Sequence, residues 1–113
     1  MSTQPWWQTD FEDLRAELRE ASGRRIAVVT LDLPDRRNSM STAMTGSWVR
    51  LMGLLRNDES LAAVVVTGAP PAFSGGGDLS WIVKDPDASV SDLRGRMLDF
   101  YRAWLSIRDL EVP

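Results

Sequence analysis

The chain of 113 residues contains neither cysteine nor histidine. The first absence excludes disulfide scaffolds, thiol nucleophiles and cysteine-ligated metals. The second excludes serine-histidine-aspartate triads, imidazole proton shuttles and the usual zinc sites. Any chemistry must therefore use carboxylates, hydroxyls, backbone amides or a cofactor. Lysine is nearly absent as well: Lys84 stands alone against twelve arginines, a bias of coding composition and not a functional signal. No apolar run approaches the roughly 20 residues that cross a bilayer. The start, Met-Ser-Thr-Gln-Pro-Trp-Trp, has no basic stretch followed by an apolar core, so a secretory signal is not expected and a cytoplasmic location is. Sixteen acidic against thirteen basic residues leave a net charge of −3. That balance argues against nucleic acid and anionic membranes as partners.

What remains is enough for a core. Hydrophobic residues make up 43% and charged residues 26%, which suits a soluble globular domain or part of a larger one. Residues 1–10 read as an extended lead-in. Residues 11–22 are ambiguous: Phe11, Leu14, Leu18 and Ala21 fit a helical stripe, with Thr9 and Glu12 as a candidate capping box, while Leu14, Ala16 and Leu18 equally fit an alternating strand. After Ser22-Gly23 the run RRIAVVTLDLP, β-rich at Ile26, Val28, Val29, Thr30 and Leu31, predicts a strand stopped by Pro34. Met44, Trp48, Leu51, Met52 and Leu55 recur at three- and four-residue steps, predicting an amphipathic helix over 40–56 capped by Ser39 or Ser41. The continuous run Leu61–Thr67 suits a strand buried on both faces. A polar linker over 84–91 leads to a last helical stripe, Leu93 to Ile107, with Ser91 or Asp92 as its cap. Strands alternating with helices imply an α/β protein with parallel pairing.

The informative segment is Phe73-Ser74-Gly75-Gly76-Gly77-Asp78-Leu79, between a strand and a helical turn. Consecutive glycines allow backbone shapes closed to other residues and let a ligand approach the amides. Three uses compete. One is a plain turn with Asp78 capping the next helix. A second is a phosphate cradle, but no Walker string is present and the dinucleotide fingerprint fits only in part, as Gly75 and Gly77 with Ser80 at the third glycine position. On that reading the chain would bind a nicotinamide dinucleotide. The third is an oxyanion hole for an acyl group, built from backbone amides.

The string AFSGGGDL resembles the AFSAGADL-type motif of the enoyl-CoA hydratase/isomerase superfamily, the crotonase family. Three further stretches are similar in the same order: IAVVTLDLPDRRNSM, the helix with Met44 followed by LAAVVVTGAPPAF, and the closing helix with LEVP. The likeness covers residues 11–113. It implies an α/β fold, the N-terminal portion of a crotonase-like ββα spiral (β-hairpin, helix, buried parallel strand, glycine-rich loop, helix), incomplete at Pro113. It also decides 13–20 in favour of a strand turning at Ser22-Gly23.

The resemblance implies site roles residue by residue. The amide of Gly77 is the first of two oxyanion donors to a thioester carbonyl. Gly75 and Gly76 let the coenzyme A arm lie against the chain, and Asn38, Ser39 and Met40 line its entrance through backbone contacts. Arg36 and Arg37 reach toward its phosphates, Asp78 and Leu79 border the loop, and Trp81 with Ile82 faces the acyl chain. The substrate implied is an acyl-CoA thioester, most simply a 2-enoyl-CoA that is hydrated. Coenzyme A enters as part of the substrate, with no tightly bound cofactor and no metal. The family assembles as trimers or paired trimers, so a homo-oligomer is expected of a full-length protein. The family's second oxyanion amide and its acidic residues have no counterpart before Pro113, so the chain alone is expected to be inactive or very weak, or to serve as a binding module. Asp32-Leu33-Pro34 departs from the family's Asn-Arg-Pro, and glycine stands at 75 and 77 where alanine is common.

Overall fold

A computed structural model describes residues 4–78, 80 and 85–113. Its frame is a three-stranded sheet in the order β1-β2-β3, where β1 is Leu14–Ala21, β2 is Arg24–Leu31 and β3 is Leu61–Gly68. The first two strands form a hairpin because Ser22 and Gly23 both take positive φ, 53° and 75°. Two such residues in sequence make the tight turn whose twist matches that of the strands. The ambiguity of residues 11–22 thus resolves as strand. Thr9 makes no capping box; its hydroxyl donates to the carbonyl of Pro5.

Register decides which side chains enter the core. Leu14 lies opposite Leu31, Ala16 opposite Val29 and Leu18 opposite Ala27. On the other side of β2, Ala27 and Val29 align with Val64 and Val66 in parallel. These residues share one sheet face, and α1 (Thr42–Arg56) packs on it through Met44, Trp48, Leu51, Met52 and Leu55. Ser41 supplies the helix cap, accepting from the Met44 N–H at 3.0 Å. The parallel pairing of β2 and β3 requires a crossover, and α1 is that crossover.

β3 is parallel as its apolar run implied, but burial on both faces is not what the strand shows. Val65 points to the opposite sheet face and is 49% exposed. The cause is position. β3 is the edge of the sheet, and α1 covers only the other face. Its free edge meets the end of the chain, where the Val64 N–H donates to the Pro113 carbonyl at 2.9 Å.

A further helix, α2 (Val90–Trp104), starts earlier than its stripe suggested. Its cap is Ser89, not Ser91 or Asp92, and Asp92 closes a capping box by accepting from the Ser89 N–H. Serine followed by an acidic residue three positions on satisfies two orphan donors together, which outweighs either later candidate. A short 3-10 turn, Leu105–Asp109, continues the chain. The two helices are locked by tryptophans. Trp48 Nε1 donates to the Trp104 carbonyl at 3.1 Å, Trp104 Nε1 donates to the Thr45 hydroxyl at 3.0 Å, and the rings lie 4.7 Å apart. Among the described residues no helix is long and apolar enough to cross a membrane.

The lead-in is not uniformly extended. Trp6–Gln8 form a 3-10 turn and Trp6 is 4% exposed, packed in the core. Its Nε1 donates to the Asp58 carboxylate at 2.8 Å. Burial opposes ionisation of Asp58, but the Ser60 hydroxyl, Trp6, the Ser60 N–H and the charge of Arg25 outweigh it and hold the carboxyl below its ordinary range. A depressed carboxyl contributes stability above its unfolded-state pKa and loses it as pH falls through the folded value. Part of the acid sensitivity below about pH 4 should therefore come from the Trp6 anchor. The Trp6→Phe variant is expected to show a flatter fall in urea midpoint between neutral and acid pH than the parent. Equal slopes in the two proteins would refute this.

Candidate oxyanion loop

The glycine loop is positioned by one side chain. Asn38 is fully buried and adopts φ +56°, directly after Arg37 at +53°. Its amide oxygen accepts from the Leu33 N–H at 2.8 Å. Its amide nitrogen lies 2.9, 2.8 and 3.2 Å from the carbonyls of Ala69, Ala72 and Phe73. The β2–α1 connection is thereby fastened to the segment leaving β3. Asparagine suits the position twice over, tolerating the left-handed region and offering both a donor and an acceptor on a short side chain.

The backbone of the two segments is laced as well. The Gly75 N–H donates to the Arg37 carbonyl at 2.8 Å, and the Met40 N–H donates to the Gly76 carbonyl at 2.7 Å. The Ser74 hydroxyl donates to the Asn38 carbonyl and accepts from the Gly76 N–H, both at 3.0 Å. Met40 and Gly77 form a single parallel bridge. In such a bridge one residue directs its own N–H and C=O at the partner strand, and the other directs them away. Met40 is the first kind, so Gly77 is the second. Of the three consecutive glycines, Gly75 and Gly76 have their N–H groups engaged. Gly77 is the one whose N–H has no acceptor among the described residues.

Gly77 has two described neighbours: Met40 across the bridge, and the Phe100 ring of α2, 3.5 Å from where a Cβ would sit. The next residue, Asp78, accepts from the Ser80 N–H at 3.0 Å and lies 4.0 Å from the Arg36 guanidinium. The Ser80 hydroxyl, its N–H and then Arg36 keep the Asp78 carboxyl below its ordinary range. It stays ionised at neutral pH, which makes it a poor proton donor.

The sequence-level candidates therefore separate. Gly75, Gly76, Gly77, Asp78, Met40 and Arg36 come together around one loop. Ser39 adjoins them, its N–H donating to the Arg36 carbonyl and its carbonyl accepting from the Ser41 N–H. Asn38 needs correction as an entrance residue: it has no exposed surface, and both its backbone groups are bonded internally. Its place is that of a clamp. Arg37 is exposed and holds Gly75 through its carbonyl. Leu79, Trp81 and Ile82 lie outside the described residues. Sequence reading missed Gly68 and Phe100. Gly68 had a signal, since it ends a strand directly before Ala-Pro-Pro. A Cβ there would run into the Phe73 and Ala72 carbonyls and the Asn38 amide. Phe100 gave no signal beyond its helical stripe.

The glycines should respond unequally to alanine. At Gly75 and Gly77 a Cβ finds ordinary contact distances of 3.5 Å, so both variants should stay within about 1 kcal/mol of the parent. Gly68→Ala should cost about 3 kcal/mol or more, by overpacking and by breaking the clamp. Asn38→Ala should cost a similar amount, because it strands buried carbonyls and an N–H. Urea unfolding of the four variants checks the order. A Gly68→Ala protein as stable as Gly77→Ala would contradict it.

Known proteins resemble this chain in sequence and in fold. Residues 21–113 match the family model described as enoyl-CoA hydratase/isomerase. A putative enoyl-CoA hydratase of Thermus thermophilus is 42% identical over 88 residues, covering 78% of this chain and 35% of that protein. The probable enoyl-CoA hydratase EchA14 of Mycobacterium tuberculosis is 32% identical over 91 residues, covering 80% of this chain and 34% of its own length. The chain thus spans about a third of the length of these relatives. Among solved structures, an enoyl-CoA hydratase/isomerase of Mycobacterium paratuberculosis superposes with a TM-score of 0.66 at 29% identity, over 93% of this chain and 41% of that one.

Proposed function

We infer function from one premise: the chain belongs to the enoyl-CoA hydratase/isomerase family. On that footing the glycine loop is the first half of an oxyanion hole for a coenzyme A thioester. The observation that carries the reading is the Gly77 N–H. It is held by the Met40 bridge, turned away from it, and without an acceptor among the described residues.

The reaction is addition of water to a 2-enoyl-CoA. The water oxygen bonds to C3, a proton goes to C2, and the π electrons pass transiently onto the thioester oxygen as an enolate. A fixed N–H aimed at that oxygen stabilises the charge most when it is largest. Losing one such donor typically costs about 3–4 kcal/mol of barrier. The loop is preorganised for this, since Asn38, Ser74 and Met40 set its shape without a ligand. Arg36 lies close enough to the loop to meet an anionic arm of the substrate. Its exposure of 67% makes that contact weak in water.

No proton-transfer residue is assigned. Asp78 is committed to Ser80 and Arg36, and Asp99 and Glu111 are exposed. The chain by itself is therefore read as a thioester-binding portion of an acyl-CoA-processing enzyme, with little or no turnover of its own. Double-bond isomerisation passes through the same enolate and is the nearest alternative activity. Supporting it as a second reading, a likeness at 26% identity and a TM-score of 0.61 links the chain to a monofunctional enoyl-CoA isomerase of M. smegmatis. A homo-oligomeric, cytoplasmic enzyme without a tightly bound cofactor completes the proposal.

Calorimetry with acetyl-CoA tests the loop. Gly77→Ala keeps the N–H and should bind within about twofold of the parent. Gly77→Pro removes it and should bind about fivefold more weakly or worse, the equivalent of one hydrogen bond of about 1 kcal/mol. Equal affinities for the proline and alanine variants would remove Gly77 from the site. Separately, the 113-residue chain should not hydrate crotonyl-CoA above background, and ordinary hydratase turnover would sink the assignment of an incomplete mechanism.

A further inference from the structure

Two unlike grooves adjoin at Asp109, on a part of the surface away from the glycine loop. The first is a cavity of about 470 Å3 between the end of α1 and residues 109–112. Its walls include Leu110 and Val112, and its rim carries Glu59, Asp109 and Glu111 against Arg56. Asp58, also on the rim, is already bonded to Trp6 and Ser60.

The second groove, of about 530 Å3, follows the exposed side of α2 and the 3-10 turn after it. Its character is the opposite. Leu98, Tyr101 and Leu105 stand in it at three- and four-residue steps, each about half exposed. That is one helical stripe left in water. Arg102 and Arg108 accompany it. Glu59, Glu111, Arg102 and Arg108 are all exposed. None of the four forms an ion pair among the described residues.

We propose that a second copy of this chain fills both grooves at once, the α2 stripe and arginines of each copy seated in the acidic groove of the other. Adjacency carries the argument. Two complementary patches that share a border are what a two-fold contact requires. With the axis along that border, each patch of one copy falls on the unlike patch of the other, and the contact closes at two copies. Tyr101 and Leu105 then meet the partner's Leu110 and the partner's Val112 at the centre. Arg102 and Arg108 face the partner's Glu59 and the partner's Glu111 at the rim. Near the axis, each Asp109 has Arg108 beside it in the same groove. A foreign acidic helix would answer the arginines alone and leave the acidic groove empty. The inference rests on the homo-oligomer proposed above, to which it gives a surface, and is independent of Gly77.

The experiment is sedimentation velocity over a concentration series of the whole 113-residue chain. The parent is compared with Arg102→Glu/Arg108→Glu and with Glu59→Arg/Glu111→Arg. The four side chains are exposed, so both variants should fold, and circular dichroism checks it. The parent should pair, less tightly as salt rises. Each variant alone should pair at least about tenfold more weakly, since like charges then face each other. An equimolar mixture of the two should pair again, because every contact between unlike copies regains opposite signs. A parent that pairs just as well with either reversal would overturn the surface and leave the homo-oligomer standing. So would weakened variants whose mixture does not recover. Assemblies that keep growing beyond two copies would overturn the two-fold arrangement. A parent monomeric at every concentration would overturn the surface and the homo-oligomer together.

Discussion

The buried amide of Asn38 is the constraint on which the site depends. Four backbone groups converge on it, one from the connection after β2 and three from the segment after β3. Neither segment has a regular ladder to hold it. Without the amide their buried carbonyls and N–H would lack partners, a penalty larger than the worth of any single bond made. The amide also dictates its surroundings. With the Phe73 and Ala72 carbonyls that it binds, it leaves no room for a Cβ at Gly68, and Arg37 and Met40 on either side of it bind Gly75 and Gly76. The glycine loop is flexible by composition and rigid by context.

The sheet presents the complementary case, in which no single contact decides. Register places Leu14, Ala16 and Leu18 over the same face as Ala27, Val29 and Leu31, and α1 closes that face. The opposite face carries Arg15, Glu17 and Arg19 on β1, with the Arg15–Asp32 ion pair at 3.1 Å. Pairs this exposed add little stability. They keep that face polar on β1, and the gradient runs toward β3, where Val65 is bare. Apolar surface on an uncovered sheet face is costly to leave in water.

Much of this was legible in the sequence because it is periodic. The stripe from Met44 to Leu55 marked α1, and the β-rich residues from Ile26 to Leu31 marked β2. Residues 11–22 satisfied both periods at once, and only the match to a family pattern favoured the strand. The structural reason, two positive-φ residues at Ser22 and Gly23, is a local turn effect with no hydrophobic signature. Burial of β3 was overestimated because a continuous apolar run records what a strand prefers, not how many neighbours it has. The cap of α2 was displaced because three polar residues near its start compete, and the pairing of Ser89 with Asp92 wins through two bonds. In the site, glycine spacing pointed to the loop. The clamp did not show, since asparagine in a polar turn looks the same whether its amide meets water or four backbone groups.

The tryptophan exchange between α1 and α2 has a consequence for the order in which the site is made. Each indole is tied to the other helix, so α2 is set against α1 by residues no further along than Trp104. Every described contact that orients Gly77 comes from residues between Arg37 and Phe100. The described residues that orient the Gly77 N–H are thus complete at Trp104, so chain emerging from a ribosome has all of them once that residue is clear.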